Sequence, residues 1–235
     1  VNLSEHTALV TGANRGIGSH FVAELLERGV RKVYATARQP ELISTPGVEV
    51  VRLDLLDRQS VDEAARVASD VTLLVNNAGI GTSAPLLTGD LAEAHRHMDT
   101  HFWGTLDVVR AFAPALAANG GGSIVNVLSA LSWFVSPGNG AYAAAKSAEW
   151  SLTNAVRLEL AAQGTFVQGV HLGAADTDMM SGYDGPKTEP RDVARASLDG
   201  LAAGRFEVLV DDTAAMVKAA LAGDPAELYG PMLAG

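Results

Sequence analysis

The chain has no cysteine among its 235 residues. Disulfides, thiolate catalysis and Cys-ligated zinc are therefore excluded, and no metal cofactor is expected. Aromatic residues make up only 6% and charged residues 19%, while hydrophobic residues reach 48%. That balance describes a chain able to bury a core rather than a disordered one. No apolar run approaches the roughly 18 residues of a membrane span, so no membrane association is expected. No basic run interrupts a net charge of −10, which makes nucleic acid a poor partner. The first residues, VNLSEHTALV, lack a basic segment followed by an apolar one and do not form a secretory leader. The chain opens on Val1 rather than Met, as processing or trimming would leave it. These features together fit a cytoplasmic enzyme.

What is present is an alternation. Residues 7–11, 32–37, 48–54, 71–79, 122–129, 165–173 and 206–210 are short, apolar and rich in β-branched side chains, as strands are. Between them, 17–28, 57–69, 90–118, 141–162 and 190–203 show helical spacing. Ser60 stands near the start of the second helix, Gly29 closes the first, and Pro190 opens the last. The tail, 212–235, reads as helical and then irregular. Strand–helix alternation implies parallel strands with crossovers on both faces, and strands such as TLLV suit a sheet buried on both sides. The expected fold is α/β: one doubly wound, Rossmann-like domain over 1–235, with about seven parallel strands and helices on both faces. No linker or repeat divides it. Ligands of such sheets bind beyond the carboxyl ends of the strands.

After the first strand comes TGANRGIG (11–18), with glycines at Gly12, Gly16 and Gly18. The spacing is GxxxGxG, yet the physics is that of a dinucleotide loop: a tight turn, close backbone approach to a pyrophosphate, and a helix N-terminus facing it. At the end of the second strand, where a carboxylate would bind the ribose of NAD, stand Ala37 and Arg38 instead. Arg15 lies inside the loop. Two cations and no acid suit a 2′-phosphate, so NADP(H) is favoured, with NAD(H) as the alternative.

The ordered set of motifs resembles the short-chain dehydrogenase/reductase family over nearly the whole chain. TGANRGIG matches its TGxxxGxG segment, NNAG (76–79) its sheet-stabilising motif, YAAAK (142–146) its YxxxK motif with Ser129 thirteen residues earlier, and LGAADT (172–177) its PGxxxT segment. The resemblance implies an NADPH-dependent carbonyl reductase with catalytic residues Ser129, Tyr142, Lys146 and His101. It implies cofactor contacts from Gly12, Asn14, Arg15, Gly16, Ile17, Gly18, Arg38, Asp54, Leu55, Asn77, Ala78, Gly79, Tyr142, Lys146, Gly173 and Thr177. Tyr142 and Lys146, one helical turn apart, share a face, and an ammonium beside a phenol favours the phenolate. That arrangement fits the pair for proton transfer to a carbonyl oxygen held by Ser129, while the alanines between them give clearance to a cofactor.

Two positions depart from the pattern. The segment DTHFWGTLDVVRAF (99–112) carries His101 where the family usually has an Asn that bends the helix and supports a water relay to the lysine. His101 either supports the same bend and titrates near neutrality or only caps the kink. Leu172 replaces the usual Pro. The expected substrate wall combines Ser129, Leu131, Trp133 and Phe134 with Ile80 and, after Thr177, Met179, Met180 and Tyr183. It suits a small apolar carbonyl or alcohol, with residues 178–190 as a loop that closes over it. The long helices are those through which related proteins form homodimers and homotetramers. Two rival readings are an NAD-dependent alcohol dehydrogenase and a catalytically silent nucleotide sensor.

Overall fold

The computed structural model describes residues 2–233. Seven parallel strands form its sheet: β1 (Thr7–Thr11), β2 (Lys32–Ala37), β3 (Glu49–Arg52), β4 (Leu73–Asn76), β5 (Gly122–Val127), β6 (Thr165–His171) and β7 (Glu207–Leu209). Their spatial order is β3-β2-β1-β4-β5-β6-β7. The order reverses between β1 and β4, and that is where a doubly wound sheet opens a crevice at its carboxyl edge.

Alternation within the strands explains why both faces are covered. On β1, Ala8 and Val10 pack to one side with Phe21, Val22 and Leu25 of α1 (Gly16–Glu27), alongside Val193, Leu198 and Leu201 of α6 (Pro190–Ala202). Leu9, between them, points the other way. It joins Val61 of α2 (Arg58–Val67), Val108 and Phe112 of α4 (Thr105–Ala118), and Leu152 and Val156 of α5 (Gly140–Glu159). The two apolar layers leave no free face on the central strands.

Local chemistry sets the helix ends. Asp57 caps α2 through a bond from the Ser60 N–H; Ser60, in the first turn as expected, is buried and its Oγ accepts the Asp54 N–H at 2.9 Å. Gly29 adopts the left-handed conformation expected of a helix stop (φ 73°). The helix expected over 90–118 runs without interruption as α3 (Leu91–Met98), a π-helical stretch Asp99–Gly104, and α4. The tail forms two helices, α7 (Asp212–Ala220) and α8 (Pro225–Leu233), so the irregular end expected there is helical instead; residues 234–235 lie outside the described residues. The strands end before 77–79, 128–129 and 172–173: Asn77 and Ala78 turn to bond Thr11, and Ser129 caps the turn that follows β5. Among the described residues no helix is long and apolar enough to cross a membrane.

Candidate active site

The crevice is held together at the β1–β4 junction. Thr11 Oγ1 accepts the N–H groups of Asn77 (2.9 Å) and Ala78 (3.0 Å). Asn77 Nδ2 donates back to the carbonyls of Thr11 (3.0 Å) and Gly12 (3.3 Å). The glycine loop is drawn tightly against the NNAG turn: a Cβ on Gly18 would lie 2.5 Å from Asn77 Nδ2, and one on Gly12 2.9 Å from Ala78 Cα. The N-terminus of α1, capped by no side chain, therefore faces the crevice with free N–H groups and its positive dipole end.

Other predicted cofactor residues arrive at the same edge. Thr177 reaches back to the loop, its Cγ2 lying 3.2 Å from where a Cβ of Gly16 would be. Gly173 is pinned by its N–H to Asp211 Oδ2 at 2.7 Å. Leu172, standing for the usual Pro, is buried and its carbonyl accepts the Ala130 N–H at 2.8 Å, so hydrogen bonding holds this segment. Asp54 Oδ1 accepts the Leu56 N–H at 3.1 Å, which turns the chain after β3 and half-buries Asp54 and Leu55. Arg38 is exposed at the end of β2, with Asn14 and Ile17 half-buried in the loop. Arg15 is also exposed, but it is engaged: its Nη1 lies 3.2 Å from Asp178 Oδ2.

Ser129 follows β5 and caps a short turn, Ala130–Ser132, against which α5 packs. Its Oγ accepts the Leu131 N–H at 3.1 Å, and its carbonyl accepts a bond from His171 Nδ1 at 3.1 Å. Tyr142 and Lys146 sit on the first turns of α5. Ala141, Ala143 and Ala145 are buried while Ala144 is exposed.

Lys146 is buried, and it is not a lone cation. Its Nζ donates to the Val127 carbonyl (2.9 Å) and to Glu149 Oε2 (2.7 Å). Burial opposes the charge on both partners. For Lys146 the Glu149 carboxylate and the Tyr142 phenol outweigh that cost and raise its pKa above the usual ammonium range. For Glu149 the Lys146 charge outweighs it in turn, holding the carboxyl below its ordinary range. Thr105 Oγ1 donates to Glu149 Oε1 at 3.1 Å.

His101 sits within the π stretch and is buried. Its Nε2 meets the Ile80 carbonyl at 2.8 Å, which makes Nε2–H the donor. The room it occupies exists because residue 79 is glycine: a Cβ there would come within 2.6 Å of His101 Cε1. Nδ1 lies 3.7 Å from Glu149 Oε2, too far for a direct hydrogen bond. Burial, then the charge of Lys146, lowers the His101 pKa. The expectation of a histidine titrating near neutrality is corrected: the ring is neutral there, because the core rejects its cation. Tyr142 meets the rings of His101 and His97 edge-on, at 5.3 and 5.8 Å.

The expected substrate wall divides. Met179 and Tyr183 are exposed, Leu131, Phe134 and Met180 half-buried, and Met179 lies against Gly81. Phe134 stacks on Tyr229 of α8 at 5.6 Å. Trp133 is corrected: it is buried, stacked on His171 at 3.7 Å with Lys218 4.3 Å from its ring centre, and belongs to the packing beneath Ser129.

A short chain dehydrogenase family profile matches residues 6–186. The chain belongs to the short-chain dehydrogenase family. A short chain dehydrogenase from Burkholderia cenocepacia J2315, solved in complex with NADP, is 38% identical and superposes with a TM-score of 0.94 over 99% of both chains. The NADPH-dependent 1-acyldihydroxyacetone phosphate reductase of Schizosaccharomyces pombe is 33% identical over 195 residues, 79% of this chain and 65% of that protein. The bulky-bulky ketone specific alcohol dehydrogenase of Comamonas testosteroni is 25% identical with a TM-score of 0.77, covering 89% of this chain and 87% of that one. As a member of this family the chain is an NAD(P)-dependent oxidoreductase. Glu149 is the site residue that the sequence reading passed over. Its signal was an acid three positions after Lys146 on the same helical face, in the same chain that carries His101 in place of Asn.

Proposed function

We propose that this short-chain dehydrogenase is an NADPH-dependent reductase of small, apolar ketones or aldehydes. The observation that carries the reading is the convergence of the glycine loop, Arg15, Arg38, Ser129, Tyr142 and Lys146 on the carboxyl edge of the sheet at its switch point. The cofactor fit rests on the tight Gly12–Gly18 cradle and the uncapped N-terminus of α1, which suit a pyrophosphate. Arg38, free at the rim, and Arg15, once released from Asp178, suit a 2′-phosphate. The relatives from Schizosaccharomyces pombe and Burkholderia cenocepacia, named for NADPH and crystallised with NADP, support the same preference.

A bound nicotinamide supplies a hydride to the carbonyl carbon. Tyr142 gives its proton to the carbonyl oxygen. Ser129 Oγ, turned from its bond with the Leu131 N–H, donates to that oxygen and stabilises its developing charge. The ammonium has three N–H groups, of which Val127 and Glu149 take two, leaving one for the cofactor's ribose. Met179, Met180, Tyr183, Leu131 and Phe134 form an apolar mouth, and 178–190 acts as the loop over it. The ketone-specific relative from Comamonas testosteroni agrees with this class. Exposed Trp103 and Leu56, beside an open groove of about 300 Å³, support homodimers or homotetramers through the face formed by the π stretch and the start of α4.

The test is direct. Dissociation constants for NADPH and NADH are measured, then turnover of a panel of aldehydes and ketones. Tighter NADPH binding with reduction of apolar carbonyls is expected. Preference for NADH would remove the role given to the arginines, and cofactor binding without turnover would favour a nucleotide sensor.

A further inference from the structure

In the mechanism above Lys146 acts as a fixed cation, and the structure shows where its fixity comes from. We infer that Glu149 is a positioning residue of the reaction: from inside the core it holds the Lys146 side chain in place and in its ammonium form. The assignment rests on the proposed reductase reading for the word reaction, and on geometry for the rest.

Glu149 is buried to 2% of its exposed area, and taking a carboxylate out of water costs several kcal/mol. Packing alone would be served at least as well by an apolar side chain, because a buried ion pair is often no more stable than its hydrophobic replacement. The carboxylate is held from two sides. Thr105 binds Oε1 and Lys146 binds Oε2. The Glu149 carbonyl accepts from Thr153 Oγ1 (2.8 Å), which accepts from Asn126 Nδ2 (2.9 Å), whose Oδ1 accepts from Asn76 Nδ2 (2.8 Å). The backbone that carries the acid is thereby tied to β4 and β5, the strands whose ends form the crevice.

The pair is also electrically isolated. Facing it are His101 on the π turn, His97 stacked on His101 at 5.9 Å, Tyr142 on α5 itself and His171 on β6. Glu93 and Arg96 lie beyond, around His97. Burial lowers the pKa of all three histidines, so they are neutral at neutral pH. His101 Nδ1, with no hydrogen-bond partner among the described residues, turns a lone pair toward Glu149. Among the described residues no second cation pairs with the carboxylate. Without it, Lys146 would keep the cost of burial and, in return, only the neutral Val127 carbonyl and the Tyr142 phenol.

Only four lysines occur in the chain, so ¹³Cε-lysine labelling makes the Lys146 side chain directly observable by NMR, with a Lys146→Arg control to assign it. In E149Q the Lys146 resonance is expected to lose its proton at a pH lower by about one unit or more. The alkaline limb of kcat/KM for carbonyl reduction should move down with it, and Glu149→Asp should restore part of both. A Lys146 titration unchanged in E149Q, with only thermal stability lost, would overturn the assignment. If E149Q does not fold, ¹³Cδ-glutamate labelling of a Lys146→Met chain replaces it. Glu149 should then titrate above the ordinary carboxylate range, and an unmoved carboxyl overturns the inference. A Lys146 titration that shifts in E149Q, with a wild-type chain that binds NADPH yet reduces no carbonyl, supports the pair and sinks the reductase reading.

Discussion

The floor and the rim of the crevice are built on opposite principles. On the floor, Lys146, Glu149, His101 and Ser129 are all at most 5% exposed, and each is fixed by hydrogen bonds to backbone or to one another. At the rim, Arg15 and Asp178 have side chains 72% and 78% exposed and hold each other through one solvated contact. Floor interactions act at low dielectric and are expensive to disturb; the rim contact is screened and of small energy. Reaction chemistry thus sits where geometry is rigid, and cofactor and substrate choice where it is adjustable.

Substitutions can break that contrast in order of size. Tyr142→Phe, at the floor, is expected to reduce turnover by roughly 10²–10⁴-fold, the range of a lost general acid. NADPH affinity measured on the same protein should stay within a few-fold. Turnover close to wild type would remove Tyr142 from its role. Arg38→Ala, at the rim, should weaken NADPH by roughly 10- to 100-fold, the worth of a charge-assisted bond, and leave NADH unchanged. Equal losses for both cofactors in parallel titrations would show that Arg38 does not read the phosphate.

A third comparison uses stability. His171 under Ser129 has a pKa lowered from 6.5 to about 4 by burial. Its folded pKa lies below its unfolded one, so the unfolded chain binds a proton first as the pH falls. The stability that the neutral ring provides is present above pH 6.5 and is lost progressively down to about pH 4. His171→Asn, which keeps a donor for the Ser129 carbonyl, should flatten the fall in Tm across that window. An acid profile as steep as wild type would assign the loss to other groups. The smallest effect is expected at the rim: Asp178→Asn frees Arg15 and should tighten NADPH by less than about five-fold, because an exposed pair contributes at most about 1 kcal/mol. The gain should vanish in an Arg15→Ala background.

Much of this was legible in the residues. The alternation of strands and helices located the sheet because burial on both faces writes near-continuous apolar runs, as in Leu73–Val75. The glycine loop and YAAAK were readable because backbone approach and helical spacing restrict residue type directly. Glu149 was not, since an acid at i+3 from a lysine on a helix most often marks a solvated pair, and only the packing of α3 and the π turn over α5 puts it in the core. Trp133 misled for a similar reason. Its place after Ser129 pointed to the substrate, but Lys218 and His171, distant in sequence, draw the ring downward. The π turn itself has no local sequence period, and its register depends on Gly79 yielding space to His101.

The strand order also governs how such a chain comes into being. β1, made first, ends up at the middle of the sheet, with β2 on one side and β4 on the other. Its pairing Ala8↔Leu73 spans about a quarter of the chain, so its second edge stays open during synthesis until β4 has emerged. Parallel pairing at that separation pays its loop-closure entropy before any contact rewards it. At the far end β7, three residues paired to β6 alone, is added last and frays first. Amide hydrogen exchange should therefore slow stepwise from β7 inward to β1, with the floor of the crevice, between β4 and β6, inside the slow region.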